Sequence, residues 1–89
     1  MYRVIIRIER VPSEIGPQGA IDITEGFKRR PWHKTAVCVY EDGGFTFTSE
    51  NDFDEDGLAT RDELAHEFSN IPIFADDDGN MRITKVETF

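Results

Sequence analysis

The chain of 89 residues has a single cysteine, Cys38, so an internal disulfide is excluded. No apolar run is long enough for a membrane-spanning helix. Met1 leads straight into a strand-like alternation, so we expect no signal peptide and a reducing, cytoplasmic setting. Glycine-rich phosphate loops, serine nucleophile elbows and zinc-type cysteine spacings are missing too. Few nucleophiles and little volume for a pocket lead us to expect a protein that is not an enzyme.

Basic residues are scarce, because ten lysines and arginines stand against eighteen acidic residues and leave a net charge of −8. Residues 1–34 sum to +3, whereas residues 35–89 sum to −11. This asymmetry favours polar association with a basic partner, although solubility alone would also explain it. The basic and aromatic segment 28–34 resembles phosphate-binding segments, but a chain with a pI near 4.6 repels nucleic acid. A further interpretation is that this segment meets the acidic loop of residues 52–63, within one chain or across a dimer.

The pattern of apolar residues predicts one α+β domain spanning residues 1–89. Tyr2–Val11 alternates as a half-buried strand does. Ser13–Gly19 is typical of a loop, because glycine and proline are frequent there. Ala20–Thr24 is predicted as a short strand with Ile21 and Ile23 facing inward, and Glu25–Lys34 as an irregular segment.

Two runs on either side of an Asp-Gly turn, Thr35–Tyr40 and Phe45–Ser49, predict a hairpin. The first run is apolar on both faces, which indicates a central strand with Cys38 in the core. Leu58–Asn70 predicts the single helix, whose apolar face comprises Leu58, Leu64, Ala65 and Phe68. We predict a short extended piece, a turn and a last strand in Ile71–Ala75, 76–80 and Met81–Glu87. The fold class is therefore an antiparallel sheet of about four to five strands with one α-helix packed on one face.

The acidic loop 52–63 fits the spacing of a calcium-binding loop at every constrained position. Calcium prefers six to eight oxygen ligands at this spacing, so Ca²⁺ is a candidate cofactor. The oxygen ligands would come from Asp52, Asp54, Asp56, the Leu58 carbonyl, Thr60 and the closing bidentate Glu63.

The loop thus resembles an EF-hand, with three departures from the family pattern. The preceding segment is strand-like, position eight is Ala59, and a second loop to pair with is missing. The alternative is an ordinary helix cap, in which Asp54 or Asp56 accepts hydrogen bonds from the first helical amides.

Residues 31–70, with the acidic stretch Glu50–Leu64 preceded by Pro31-Trp32-His33-Lys34, resemble small bacterial proteins associated with immunity to polymorphic toxins. The resemblance implies a small acidic α+β protein that binds and blocks a basic toxin domain, as a monomer or weak dimer, with no membrane attachment. It transfers no catalytic residue. On this hypothesis the partner-binding residues are Asp52, Asp54, Glu55, Asp56, Glu63 and Trp32.

Overall fold

The computed structural model describes residues 1–68 and 81–89, which form four strands and two helices. The α+β class and the four-stranded antiparallel sheet are confirmed, and a second helix joins the expected one. Within the described residues, no helix is both long and apolar enough to cross a membrane. In chain order the elements are β1 (Tyr2–Ile8), α1 (Gly16–Phe27), β2 (His33–Glu41), β3 (Gly44–Asn51), α2 (Leu58–Phe68) and β4 (Met81–Thr88).

The strand order of the sheet is β2-β3-β1-β4, and every neighbouring pair is antiparallel. Each helix connects two strands with a third strand between them, which is the ferredoxin-like arrangement of two split β-α-β units. The predicted central position of the run Thr35–Tyr40 is wrong, because β2 is an edge strand. Its apolar residues on the second face, Val37 and Val39, remain 49% and 47% exposed.

The core lies on one face of the sheet, and both helices pack there. Val4, Ile6 and Ile8 of β1 are buried together with two phenylalanines of β3 and apolar residues of both helices. Cys38 joins them, as predicted. The largest fully buried apolar side chains are Phe27, Phe45, Phe47, Ile6, Ile8, Ile23, Leu64 and Val4.

The helix α1 takes in the second part of the predicted loop, from Gly16, the whole of the predicted strand Ala20–Thr24, and the first three residues of the predicted irregular segment. Ala20, Ile23 and Phe27 are buried at helical spacing, whereas Ile21 is 55% exposed and does not face inward. Pro17 lies in the first turn, where a proline costs no helical hydrogen bond. The glycines that suggested a loop serve close packing instead, since a Cβ on Gly19 would lie 3.0 Å from the ring of Phe45.

The predicted hairpin and the start of the predicted helix are confirmed. Asp42 and Gly43 have φ angles of 51° and 72°, the left-handed pair that a two-residue hairpin turn requires. Leu58 begins α2 as expected but is 56% exposed and does not join the apolar face. The predictions for Ile71–Ala75 and 76–80 lie outside the described residues, as do the last two residues of the predicted helix.

Candidate functional site

Two aspartates of the acidic loop cap the first turn of α2. The Asp54 carboxylate accepts hydrogen bonds from the amides of Ala59 and Thr60 at 3.3 and 2.7 Å, and Asp56 accepts one from Leu58 at 3.0 Å. The first three helical amides are therefore satisfied by side chains that also suit the positive end of the helix dipole. Asp54 is only 3% exposed, so its carboxylate faces the protein interior. The predicted capping of the helix by Asp54 or Asp56 is confirmed, and both residues take part.

Asn51 holds the beginning of this loop in place. Its side-chain Oδ1 accepts hydrogen bonds from the amides of Phe53 and Asp54, at 3.2 and 2.8 Å. Its Nδ2 is therefore directed at Nδ1 of His33, 3.3 Å away. Because an amide nitrogen only donates, Nδ1 of a neutral His33 accepts, and the ring proton lies on Nε2.

Three side chains from residues 30–33, which precede and begin β2, contact the carboxylate of Glu63. The Arg30 Nε lies 3.0 Å from its Oε2, the Trp32 Nε1 donates to Oε1 over 3.2 Å, and the His33 Nε2 lies 3.3 Å from Oε2. The side chain of Glu63 is 19% exposed and that of His33 is 1% exposed. Glu63 is thus a partly buried acceptor that attaches the basic segment to α2.

Arg30 extends the same attachment by one helical turn. Its guanidinium also forms an ion pair with Glu67, and its carbon Cζ lies 5.0 Å from the ring centroid of Phe27. Glu63 and Glu67 are four residues apart, so both carboxylates project from the same side of α2. The basic segment 28–34 therefore meets the acidic loop at Glu63 within one chain, as one interpretation of this segment expected.

Four residues with carboxylates in the loop and α2 are exposed, and so are two large aromatic rings, one of them within the loop. Trp32 and Phe53 are each 48% exposed, and their ring centroids lie 6.0 and 5.9 Å from that of the buried His33. The exposed carboxylates are those of Asp52, Glu55, Asp56 and Asp62. The aromatic-acidic surface, as we call it, consists of Trp32, Phe53, Asp52, Glu55, Asp56 and Asp62.

A depression adjoins Trp32 on the side of α2. It has a volume of about 360 Å³ and is lined by Arg29, Arg30, Trp32, His66 and Glu67. The exposed indole therefore lies beside a hollow that a side chain of another molecule could enter.

The candidate calcium ligands lie in different environments and contact different groups. The oxygens of Asp54 accept backbone amides, Glu63 is engaged by cationic and ring donors, and Asp52 lies 3.8 Å from Lys34 at the surface. Within residues 1–68 and 81–89, no group of three or more acidic, histidine or cysteine side chains is placed to hold a metal ion. As arranged, these residues do not form the oxygen shell of an EF-hand, and calcium binding by the loop stays a prediction.

Cys38 is unsuited to nucleophilic chemistry in the folded chain. Burial raises the pKa of its thiol to about 12, so the thiolate is rare at neutral pH. His33, its neighbour in sequence, is hydrogen-bonded at both ring nitrogens to Asn51 and Glu63.

Sequence reasoning selected Trp32 and most of the exposed carboxylates but missed Phe53 and Asp62 of the same surface. It also missed the supporting residues Arg30, His33 and Asn51. One signal was available: Glu63 and Glu67 have the spacing of one helix side, which suits a cation such as Arg30.

Comparison with known proteins gives no matching family model, no matching curated protein and no matching solved structure.

Proposed function

We propose that this chain is a non-enzymatic protein-binding domain of the immunity or inhibitor type, which binds a basic protein through the aromatic-acidic surface. The observation that carries the proposal is the pair of half-exposed rings, Trp32 and Phe53, whose centroids lie 6.0 and 5.9 Å from that of the buried His33, together with the exposed carboxylates of the loop that contains Phe53. Large exposed aromatic residues are the side chains that most often dominate the binding energy of protein interfaces.

The support beneath the surface favours binding because it fixes the anchors before a partner arrives. The indole of Trp32 is tied to Glu63, and the backbone of Phe53 is tied to Asn51. An anchor that is already ordered loses less conformational entropy on binding, which raises affinity. Asp54 and Glu63, which the sequence assigned to direct partner contact, act in this proposal as positioning residues.

The charge of the molecule complements a basic partner. The surface carries four exposed carboxylates, and the whole chain has a net charge of −8. Such a field accelerates the approach of a basic protein and repels nucleic acid and acidic proteins. The apolar rings then supply the short-range energy, while the carboxylates around them supply speed and selectivity.

The test is comparative affinity capture from an extract of the source organism. The baits are the wild-type chain, the double variant Trp32→Ala/Phe53→Ala, and the control Ile21→Ala, which removes an equally exposed apolar side chain from α1. We expect a basic protein that the wild type and the control retain and the double variant loses at least about tenfold, since anchor truncations cost about 2 kcal/mol or more. Equal capture by all three baits would contradict the proposal.

The inhibitor class is tested by co-expression. If the captured protein arrests growth when expressed alone, the wild-type chain should restore growth, and Trp32→Ala/Phe53→Ala should not. Growth arrest that the wild-type chain fails to relieve would leave a binding domain without an inhibitory role.

A further inference from the structure

The face of the sheet opposite the helices carries a patch that the proposed function does not use. The register of the four strands places Val37, Val39, Thr46, Thr48 and Ile5 side by side on this face. Val37 and Val39 are each about half exposed, and Val37 also borders a depression that it shares with Phe27, Lys28 and Pro31. A cluster of β-branched side chains on an open face is typical of an interaction surface. Its border is charged, because the Arg7 guanidinium donates to Oγ1 of Thr46 at 3.0 Å.

The patch is not explained by strand addition at the edge of β2. The backbone amide of Cys38, in the middle of the strand, donates to Oγ1 of Thr24 at 3.0 Å. Because Thr24 belongs to α1, the helix occupies the edge where another strand would have to pair. The other edge strand, β4, carries Arg82, Lys85 and Glu87, which also discourage pairing. The exposed valines therefore call for a partner that covers the face of the sheet.

The charges around the patch cancel, which distinguishes this face from the rest of the molecule. Four basic and four acidic side chains share the face, so the whole net charge of −8 lies elsewhere. The charges pair with one another: Arg3 lies 2.7 Å from Glu50 of the neighbouring strand, and Arg7 lies 2.9 Å from Glu9, two residues further along the chain. The eight are Arg3, Arg7, Arg82, Lys85, Glu9, Glu41, Glu50 and Glu87.

We propose that two copies of this chain associate face to face through the helix-free side of the sheet, with Val37 and Val39 at the centre. A neutral rim with both signs is complementary to itself, because a two-fold rotation can set its arginines against its glutamates. A strongly basic partner would gain nothing from this face, and a second acidic copy meets the least repulsion here. The aromatic-acidic surface depends on α2 and the loop before it, so dimerisation leaves it free.

The size of the face predicts a weak dimer. Four strands about 4.8 Å apart and about eight residues long, at about 3.4 Å per residue, span roughly 500 Å², below the usual ~800 Å² per partner. We therefore expect a dissociation constant of about 10–100 μM.

The test is sedimentation equilibrium over about 5–500 μM chain. The wild type should shift from 10.2 kDa toward twice that mass, while Val37→Lys stays monomeric. The control Ile21→Lys adds the same charge at an exposed apolar site on α1 and should dimerise as the wild type does. Lysine is common on edge strands, and a thermal melt confirms that both variants fold. A monomeric wild type at the highest concentration, or equal masses for the two variants, would overturn the proposal.

A dilution series followed by NMR locates the contact without any substitution. The amide shifts that depend on concentration should cluster in β2, β3 and β1 around Val37, Thr48 and Ile5. Shifts clustered around Trp32 and Phe53 would place self-association on the wrong surface and refute the face-to-face dimer.

Discussion

Replacing Asp54 with alanine tests whether the acidic loop is built to cap a helix. In the wild type this buried carboxylate accepts hydrogen bonds from two helical amides, and Thr60, whose amide donates the shorter bond, is fully buried. Asp54→Ala removes both acceptors at once. Water does not reach the abandoned Thr60 amide easily, so little compensates for the lost bond.

The expected cost follows from two contributions. Loss of a helix cap costs about 0.5–2 kcal/mol, and leaving a buried donor without a partner costs about 1–3 kcal/mol. Because the same bonds contribute to both figures, we expect the free energy of unfolding to fall by about 2–3 kcal/mol. In a domain of this size that lowers Tm by roughly 10–20 °C.

The matched control is Asp52→Ala, which removes an exposed carboxylate two residues earlier. Asp52 lies 3.8 Å from Lys34, and both side chains are more than half exposed, so we expect a cost of about 0–0.5 kcal/mol. Urea unfolding of the two variants without added metal measures both values. Equal losses for Asp54→Ala and Asp52→Ala, or a negligible loss for Asp54→Ala, would refute the capping argument.

Four further predictions follow from the described contacts. If the acidic loop serves only as a helix cap, calcium at about 5 mM will leave Tm unchanged relative to magnesium, whereas a rise of several degrees that Glu63→Gln abolishes would establish the calcium loop. Arg30→Met should lower the free energy of unfolding by about 3 kcal/mol, because it leaves the partly buried carboxylates of Glu63 and Glu67 without their cation. Urea titration measures the loss, and a value under about 1 kcal/mol would contradict this prediction. Iodoacetamide should label Cys38 at pH 8 at least about 100-fold more slowly in the folded chain than in concentrated urea, because burial raises the pKa of the thiol to about 12; comparable rates would show the thiol to be accessible. The hydrogen bond from Arg3 lowers the pKa of Glu50 below 4.5, so its stabilisation is present above that pH and is lost as the pH falls further; Tm curves against pH should be shallower in acid for Glu50→Gln, and parallel curves would refute the assignment.

Local sequence patterns correctly predicted the elements whose conformation is determined by residues close to them in the chain. The alternation of β1 and the Asp-Gly hairpin were read correctly, because a half-buried strand and a tight turn are set by neighbouring residues. The capping role of Asp54 could be predicted for the same reason. The exact start of α2 also followed from this acidic cap.

The errors arose where tertiary contacts outweigh local preference. Gly16, Pro17 and Gly19 indicate a loop in isolation, but in α1 the small residues allow the helix to approach the sheet closely. The two-sided apolar pattern of β2 indicates a central strand, yet one side is left uncovered at the edge of the sheet.

The inward direction of Glu63 could not be inferred from spacing in the acidic loop. Its position depends on Arg30, Trp32 and His33, which lie about thirty residues earlier in the chain. A single sequence does not reveal such a long-range contact, and the same carboxylates therefore fit a calcium loop, a helix cap and a binding surface equally well.

The most direct measurement of the central proposal is the association rate of the captured basic protein with this chain as a function of salt. We expect the rate to fall at least about tenfold between about 50 and 500 mM salt, since the exposed carboxylates steer the encounter. The variant Glu55→Gln/Asp62→Asn should associate more slowly, with a weaker salt dependence and a nearly unchanged dissociation rate. An association rate that does not change with salt concentration, or with the loss of these two charges, would contradict the account.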